Sequence, residues 1–340
     1  MQTAVLAPEM SEILYDARWI GPHGIGRFAG ELAKSLPELQ EFRRSRRPWH
    51  PLDPVLLGAE LWREKPKLFF SPGYNSPLGW PKPFVFTLHD LNHLCVPENS
   101  NALKRAYYQH LIRPACHRAV FVLTVSEYSR REIVAWAGLD EQRVINVGNG
   151  VGEPFTVDGP QHEPGYPYLL YVGSHKPHKN LPRLLHAYSI SGICECVKLV
   201  MTGTPSPELK AQIEELRLGT RVDFVGTAEN GELARLYRGA LGFVFPSLYE
   251  GFGLPPLEAL ACGAPVLTSN VCSLPEVVGD AGILVDPLNI DEIAFGIRTL
   301  VENADLRATL RRKGLLRAVK FSWTETARKT AEVLRMALAN

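Results

Sequence analysis

Short apolar runs that alternate with helical patterns constrain the fold of this chain most strongly. Four such runs lie in residues 67–151, and six more lie in residues 168–287, from YLLYV to GILV. Runs of this kind, each followed by a turn and a helical pattern, are typical of parallel strands covered on both faces. The sequence therefore predicts an α/β fold built from two open sheets.

A segment rich in glycine and proline, VDGPQHEPGYP at 157–167, separates the two sets of runs and has no periodicity. It predicts a first domain over residues 1–157 and a second domain over residues 158–321. A final helical pattern, 322–340, carries an apolar stripe and is predicted to pack back on the first domain. A length of 340 residues is ample for two hydrophobic cores.

Composition and charge exclude several classes of protein. Hydrophobic residues make up 45% of the chain and charged residues 21%, which is typical of a globular protein rather than a disordered one. The net charge of +1 gives no overall field that favours nucleic acid. The sequence shows no apolar run long enough to span a membrane, no signal-peptide pattern and no CxxC pair. We expect a cytoplasmic protein with reduced cysteines and no nucleic-acid partner.

The stretch YEGFGLPPLEALACG, residues 249–263, places the carboxylates of Glu250 and Glu258 eight positions apart after an apolar run. Pro255 and Pro256 suit the first turn of a helix, with Glu258 on that turn. The loop EGFGL is then expected to present backbone N–H groups at a helix N-terminus, which is an anion site. Two acids beside it suit a ligand with sugar hydroxyls and a phosphate. Each acid alone could equally be a solvated loop acid or one that complements the helix dipole.

A basic loop, YVGSHKPHKNLPRLL at 171–185, joins another predicted strand, ending at Gly173, to a helix. Lys176 and Lys179 lie beside the predicted helix N-terminus, where the dipole is already positive. Lysines are unfavourable there unless an anion binds. The loop therefore predicts a diphosphate site, and a solvated basic loop is the alternative.

Two further candidates lie in the first domain. The stretch GPHGIGRF contains Gly24 and Gly26, which could bring backbone N–H groups near a phosphate or could form a flexible turn. The stretch TLHDLNHL places His89 at the end of a predicted strand, where a histidine can bind a sugar hydroxyl. A hydrogen-bonded structural histidine is the alternative reading, and Asp90 and His93 are alternative site residues.

Two basic segments of the first domain also contain aromatic residues. EFRRSRRPWH at 41–50 carries four arginines, and NALKRAYYQHLIRPACHRA at 101–119 has a helical pattern. Basic and aromatic residues together favour contact with an anionic membrane surface. Solvated surface charge is the alternative reading. Residues 40–66 as a whole predict no recognisable element.

Several of these stretches together resemble a known family. EGFGLPPLEALACGAPVLTSN, SLPEVVGDAGILVDP and YVGSHKPHKNLPRLLHAY resemble retaining GT-B glycosyltransferases of family 4. GIGRF, TLHD and LTVSEYSRREI resemble the first half of bacterial mannosyltransferases that build polysaccharides. The resemblance covers nearly the whole chain. It implies the GT-B fold, in which two Rossmann-like domains face a central cleft.

The resemblance also implies an activity. It is the transfer of a sugar from a nucleotide-sugar donor, with GDP-mannose as the first expectation, to a glycan or polyprenyl-diphosphate-linked saccharide. Neither a metal ion nor another cofactor is expected. An acceptor of the second kind would place the protein at the inner face of the plasma membrane.

The resemblance assigns roles to individual residues. Glu258 binds the donor ribose, Glu250 approaches the donor sugar and Lys179 holds the diphosphate. His89 contacts the transferred sugar or the acceptor, so that His89, Glu250 and Lys179 form the catalytic set. The family loop usually pairs an arginine with the lysine, and Lys176 is the expected substitute here. The other implied donor-binding residues are Gly24, Gly26, Gly173, Phe252, Gly253 and Leu254.

No side chain is clearly placed as a nucleophile, which favours attack on the front face of the sugar, assisted by the leaving phosphate. Two other functions stay open on the same fold. A nucleotide-sugar epimerase would turn over the donor without transferring it. A non-catalytic nucleotide-sugar binding protein would fail to hydrolyse the donor at all.

Overall fold

The computed structural model describes residues 10–193 and 195–339, which form two compact units. The first unit runs to Gly150 and resumes at Ser322, and the second unit is Val151–Phe321. The segment 157–167, which the sequence predicts as a linker, therefore belongs to the second unit.

A buried arginine explains why this segment belongs there. The Arg238 guanidinium donates hydrogen bonds to the carbonyl oxygens of Pro160 at 2.9 Å, Thr156 at 3.0 Å and Pro154 at 3.3 Å. Arg238 itself is buried. A buried guanidinium needs partners for its N–H groups. These three carbonyls therefore fix the start of the segment, and the residues just before it, to the helix that carries Arg238.

The first unit contains a six-stranded sheet in the order β2-β1-β3-β4-β5-β6, with every neighbouring pair parallel. The strands are β1 Ile13–Asp16, β2 Gln40–Phe42, β3 Leu68–Ser71, β4 Phe84–Thr87, β5 Phe121–Thr124 and β6 Val144–Asn146. The helices are α1 Gly24–Ser35, α2 Asp53–Glu64, α3 Asn92–Cys95, α4 Ala102–Tyr107, α5 Arg113–Arg118 and α6 Glu127–Ala137, with a π-helical turn at Tyr108–Ile112.

The second unit contains another six-stranded parallel sheet, in the order β12-β11-β10-β7-β8-β9. The strands are β7 Tyr168–Tyr171, β8 Lys198–Met201, β9 Val222–Phe224, β10 Gly242–Phe245, β11 Val266–Ser269 and β12 Gly282–Val285. The helices are α7 Leu181–Ile190, α8 Pro207–Glu215, α9 Asn230–Gly239, α10 Leu254–Ala261, α11 Leu274–Val278, α12 Ile290–Glu302 and α13 Ala304–Ala318.

The last helix, α14 (Trp323–Ala339), belongs to the first unit although it follows the second in sequence. It packs on α1 and on strands β3, β4 and β5. Its buried face includes Ala327, Ala331 and Leu334, the stripe seen in the sequence. At the crossing, a side chain on Gly150 would meet the Trp323 backbone nitrogen at 2.2 Å, so the two chain segments approach too closely for any other residue.

Ten of the twelve strands, β3 to β12, lie within the apolar runs that predict them. The helix predicted after β5 is confirmed with both ends. Ser126 Oγ accepts the N–H of Ser129 at 3.0 Å, and Gly138 ends the helix with φ of 69°. Strands β1 and β2 and helix α2 were not predicted. No helix in the described part of the chain is both long and apolar enough to cross a bilayer.

Candidate active site

The strand order of the second sheet indicates which edge of the second unit is suited to bind a ligand. Strands β7 and β10 are neighbours at its centre, and the chain builds β8 and β9 on one side but β11 and β12 on the other. This is the strand order of a Rossmann fold, and ligands bind outside the carboxyl ends of the two strands where the order reverses. The basic loop follows β7 and the loop EGFGL follows β10, so both predicted loops start at this point.

A lysine and a glutamate from these two loops form an ion pair. The Lys179 Nζ atom lies 2.5 Å from Glu250 Oε1, and the two side chains are only 12% and 13% exposed. The same ammonium group lies 4.9 Å from the centre of the Phe245 ring. A pair this little exposed has lost much of its hydration, so both charges depend on close partners. A diphosphate could replace Glu250 as the partner of the lysine.

Asn180 holds the basic loop against its neighbours. Its backbone is left-handed, with φ of 62°, which is uncommon for a residue other than glycine. Its Nδ2 atom donates to the carbonyl oxygens of Pro246 at 2.9 Å and Pro287 at 2.7 Å. These bonds tie the loop after β7 to those after β10 and β12. The strained backbone persists because buried hydrogen bonds over-determine it, as at many functional sites.

Two serines hold the loop that carries Glu250. The hydroxyl of Ser247 lies 2.6 Å from Glu250 Oε1, so this oxygen has both a hydroxyl and an ammonium group beside it. The hydroxyl of Ser273 lies 2.7 Å from the carbonyl oxygen of Phe252 and 2.9 Å from that of Glu250. The loop is therefore preorganised without a ligand.

The predicted anion site at the start of α10 is present in the fold. The helix begins at Leu254 with prolines in its first turn, and Gly253 precedes it with φ of 108°, which suits only glycine. Within residues 10–193 and 195–339, the N–H groups of Phe252, Gly253 and Leu254 donate no hydrogen bond. Three unpaired donors at the positive end of a helix can bind a phosphate.

Glu258 lies deeper than expected. It is the fifth residue of α10, one position beyond the first turn on which it was predicted, and it is 5% exposed. Its Oε2 atom accepts a hydrogen bond from the Tyr237 hydroxyl at 3.0 Å. A carboxylate has two oxygens that can each accept more than one hydrogen bond, which suits the ribose role predicted for Glu258.

Gly173 and Lys176 also follow β7. The N–H of Gly173 donates to Thr202 Oγ1 at 3.1 Å, and a side chain there would meet the Tyr171 hydroxyl at 2.8 Å. Packing alone therefore explains this glycine. Lys176 is exposed, and its carbonyl accepts the N–H of Lys179 at 2.9 Å. Its part in holding a diphosphate stays a prediction.

The remaining candidates lie in the first unit, where His89 packs against α1. Its Nε2 atom lies 2.9 Å from the carbonyl oxygen of Pro72, and its ring meets the Phe28 ring edge-on. Because a carbonyl oxygen only accepts, Nε2 carries the proton and Nδ1 is left as an acceptor. Burial, aided by nearby His23, lowers the pKa of His89 to about 4. At neutral pH the ring is uncharged and can accept a hydroxyl hydrogen.

The two alternatives to His89 take part in local structure. The carboxylate of Asp90 accepts the N–H of Asn92 at 2.9 Å, closing a turn before α3. The Nδ1 atom of His93 lies 3.1 Å from the carbonyl oxygen of Asn99. His89 makes a contact of the same kind with Pro72, so the choice of His89 as the site residue stays a prediction.

Gly24 and Gly26 form the start of α1, but their N–H groups are not equally available. His23 caps the helix, and its Nδ1 atom accepts the N–H of Gly26 at 2.9 Å. A side chain on Gly26 would meet the Gly21 carbonyl oxygen at 2.3 Å, so packing requires a glycine there. Gly24 is exposed. A phosphate contact from this turn would more easily involve Gly24 than Gly26.

Comparison with known proteins decides the family. The profile named Glycosyl transferases group 1 matches residues 156–317, and the profile named Glycosyltransferase Family 4 matches residues 4–152. The O-antigen chain mannosyltransferase B of Escherichia coli is 32% identical over 266 residues, which are 74% of this chain and 70% of that protein. The chain belongs to glycosyltransferase family 4. The resemblance seen in the sequence is therefore confirmed.

Two further comparisons extend this result. The serotype-specific mannosyltransferase WbdA of Escherichia coli is 31% identical over 234 residues, 63% of the glycosyltransferase but only 28% of WbdA. The structure of sucrose-phosphate synthase from Thermosynechococcus elongatus has a TM-score of 0.78 and 19% identity, covering 96% of the glycosyltransferase and 98% of that chain. At this identity the likeness shows the fold alone, and that fold is GT-B, as predicted.

Three residues that position the site were not found from the sequence. They are Asn180, Ser247 and Tyr237, which hold the basic loop, Glu250 and Glu258 respectively. Ser247 stands at a predicted strand end, which was an available signal. Tyr237 lies 21 residues before Glu258, and only the folded chain brings the two together.

The ion pair predicts an unusual effect of Glu250→Gln on the glycosyltransferase. Removing the carboxylate frees Lys179 and removes a negative charge beside the diphosphate. We expect calorimetry to show a nucleoside diphosphate bound about fivefold tighter or more, a gain of roughly 1 kcal/mol or more. The affinity for the matching nucleoside without phosphates should not change. A weaker diphosphate affinity in the variant would show that Glu250 helps to bind the nucleotide.

The burial of His89 predicts its titration. Since the pKa of this histidine is about 4 in the folded chain and about 6.5 in an unfolded one, its contribution to stability is complete above pH 6.5. That contribution is lost as the pH falls towards 4. An NMR titration of the imidazole signals should show one midpoint near pH 4, and this signal should be missing in His89→Gln. A midpoint at about 6.5 would contradict the burial.

Proposed function

We propose that the glycosyltransferase moves mannose from GDP-mannose to a glycan or a polyprenyl-diphosphate-linked saccharide in polysaccharide biosynthesis. The observation that carries the proposal is that Lys179 and the amides of Phe252, Gly253 and Leu254 lie on the loops at the carboxyl ends of β7 and β10. In the part of the chain that the structure describes, these three amides donate no hydrogen bond. These groups suit a diphosphate, and Glu258 suits a ribose. Mannose as the sugar is supported by the two Escherichia coli relatives, both named as mannosyltransferases.

Charge stabilisation by the protein is the proposed source of catalysis. As the bond between sugar C1 and the diphosphate oxygen breaks, negative charge grows on the leaving GDP. Lys179 and the positive end of α10 are already positioned beside the oxygen on which that charge grows. They therefore stabilise the transition state more than the ground state. Because these groups supply the positive charge, we propose that the reaction needs neither a metal ion nor another cofactor.

Retention of the anomeric configuration is proposed for the same site. The acceptor hydroxyl attacks C1 from the face that GDP leaves, and its proton passes to the leaving phosphate oxygen. The new C1–O bond then lies on the face of the broken one. Glu250 is held by Lys179 and Ser247, so its role is to orient the donor sugar rather than to attack it.

The first unit is proposed to bind the acceptor. His89 is uncharged at neutral pH and keeps Nδ1 as an acceptor of hydrogen bonds. A sugar hydroxyl can donate to such a nitrogen. We propose that His89 orients a hydroxyl of the transferred sugar or of the acceptor.

The test begins with calorimetry of a panel of nucleoside diphosphates, in which GDP should bind most tightly. Incubation with GDP-mannose and a mannose-terminated lipid-linked saccharide, with a chelator present, should then give a product with an α linkage by NMR. A β linkage would overturn retention, and activity abolished by the chelator would overturn metal independence. If another nucleotide bound more tightly than GDP, the donor would be reassigned to it. If the free donor were epimerised and no sugar were transferred, the activity would be that of an epimerase.

A further inference from the structure

Helix α2 has a second apolar face that the core of the first unit does not use. Its inner face is buried and includes Leu57, Gly58 and Leu61. On the opposite side, Leu52 is 60% exposed, Val55 53%, Leu56 40% and Trp62 55%. The spacing of these outer residues places them on one face of the helix.

Two neighbouring residues extend this face. Trp49, 49% exposed, stands just before the helix, and Leu78, 43% exposed, runs beside it, with its N–H donating to the Pro54 carbonyl oxygen at 2.8 Å. The Trp62 indole donates to the Gly79 carbonyl oxygen at 3.0 Å, which fixes that ring at the edge. We name these six residues, Trp49, Leu52, Val55, Leu56, Trp62 and Leu78, the α2 face. Exposed apolar side chains gathered along one side of a helix are typical of an interaction site.

The charges around the α2 face indicate its partner. The segment 41–65 holds six arginines and lysines against four acids, although the whole chain carries only +1. Each acid of this segment forms an ion pair with an arginine. Glu41 pairs with Arg43, Glu64 with Arg44, and both Asp53 and Glu60 with Arg46.

Other cations around the face keep their charge. Arg47, Arg63, Lys65 and Lys82 are exposed, and within the described residues they form no ion pair. Arg47 lies over the Trp49 ring at 5.7 Å, and Lys82 lies over the Trp80 ring at 5.8 Å. The α2 face is therefore apolar at its centre and positive at its rim.

We propose that the α2 face docks into the interface of an anionic lipid bilayer, with its helix parallel to the surface. An apolar helix face with tryptophans and a cationic rim matches the headgroup level of such a membrane. A second copy of the chain fits less well, because a symmetric contact would bring two positive rims together. The proposal agrees with a lipid-linked acceptor but does not depend on the proposed activity.

The same contacts revise the expectation for the arginines of residues 41–50. Arg43, Arg44 and Arg46 each pair with an acid of the same segment, so these three arginines add little net positive charge to it. The apolar side chains of α2 thus carry the affinity, and the unpaired cations add to it only on anionic lipid. The second basic segment, 101–119, exposes Leu103 and Lys104. Its large side chains Tyr108 and Ile112 are buried, so they are not available to a membrane.

Vesicle co-sedimentation tests the proposal. The full chain should sediment with vesicles of equal parts phosphatidylcholine and phosphatidylglycerol, and only weakly with pure phosphatidylcholine. The triple variant L52Q/V55Q/L56Q should lose about tenfold or more of this partition. A matched control, L288Q/F295Q/V319Q, removes apolar side chains of the second unit that are at least as exposed and should sediment as the parent does. Circular dichroism shows whether each variant is folded.

A second pair of measurements identifies the occupant. The variant R63Q/K82Q should weaken partition to the anionic vesicles but not to phosphatidylcholine, and high salt should do the same. Sedimentation velocity without lipid should show the same oligomeric state for the parent and the triple variant. The proposal is overturned if the triple variant sediments with vesicles as the parent does, if the parent fails to bind anionic vesicles, or if the substitutions instead break up a dimer. GDP affinity, measured separately, should be equal in all variants, so failure of the proposed donor site would be seen independently.

Discussion

Replacing Lys179 with alanine should lower kcat/KM for sugar transfer by about 100- to 1,000-fold, whereas Lys176→Ala should lower it less than about tenfold. Both residues are lysines of the same loop, three positions apart, so the pair is a matched comparison. Only Lys179 is partly buried, lies over the Phe245 ring and touches a loop from the neighbouring strand. Its ammonium group is fixed where we propose that the leaving diphosphate develops charge, and Lys176 is exposed.

Lys179→Ala also leaves Glu250 without its ion-pair partner, which could itself repel the donor. The double variant K179A/E250Q separates the two effects. If loss of the lysine is the cause, the double variant should stay as slow as Lys179→Ala or become slower. Recovery of activity in the double variant would show that the unpaired carboxylate was the cause. Equal losses for Lys179→Ala and Lys176→Ala would show that the loop acts only through its overall charge.

Replacing Glu258 with glutamine should weaken nucleoside diphosphate binding by about 10- to 150-fold, since hydrogen bonds to a charged group contribute about 1.5–3 kcal/mol. Glutamine keeps the shape of the side chain and most of its packing in α10. The buried carboxylate can accept two ribose hydroxyls, whereas the amide can accept only with one oxygen. Titration calorimetry with GDP measures the difference.

A ligand without ribose hydroxyls is the control for this role. The 2′,3′-dideoxy form of GDP should bind the parent more weakly than GDP does, and Glu258→Gln should bind both forms about equally. Tyr237→Phe removes the hydroxyl that positions Glu258 and should weaken GDP binding less than Glu258→Gln does, because the carboxylate itself remains. If Glu258→Gln still distinguished GDP from its dideoxy form as the parent does, the ribose role would be wrong.

Several of the strands that the sequence predicts are buried on both faces. Strands β3, β4, β7 and β10 are wholly buried and read as continuous apolar runs. Strand β2, QEF, has a single apolar residue and a single buried one, so its sequence reads as a loop. Strand β1, ILYD, is wholly buried but short, and it was missed as well.

Helix α2 was missed for a different physical reason. Apolar residues lie on both of its faces, inward at Leu57 and Leu61 and outward at Val55 and Leu56. The solvent side of the helix therefore carries apolar side chains among its polar ones. Its first residue is preceded by Leu52, which makes no side-chain cap, so the usual start signal is missing too. The exposed apolar side chains that made this helix hard to predict are also the ones that suggest a binding partner for it.

The loops of the donor site were recognisable from sequence because their chemistry is local. Glycine, proline and acid spacing at 249–263 and lysine spacing at 171–185 each describe one loop beside one helix. The pairing of Lys179 with Glu250 joins residues 71 positions apart, and no local pattern reports such a contact. Sequence reasoning therefore predicted a class of ligand but not the ion pair that such a ligand would meet.

A crystal structure of the glycosyltransferase with GDP bound tests the central claim most directly. The account predicts the diphosphate within hydrogen-bonding distance of Lys179 Nζ and of the Gly253 and Leu254 amides, with the ribose hydroxyls on Glu258 and the contact between Lys179 and Glu250 lengthened or broken. GDP bound elsewhere, or a diphosphate that leaves the Lys179–Glu250 pair intact and the α10 amides unoccupied, would contradict it.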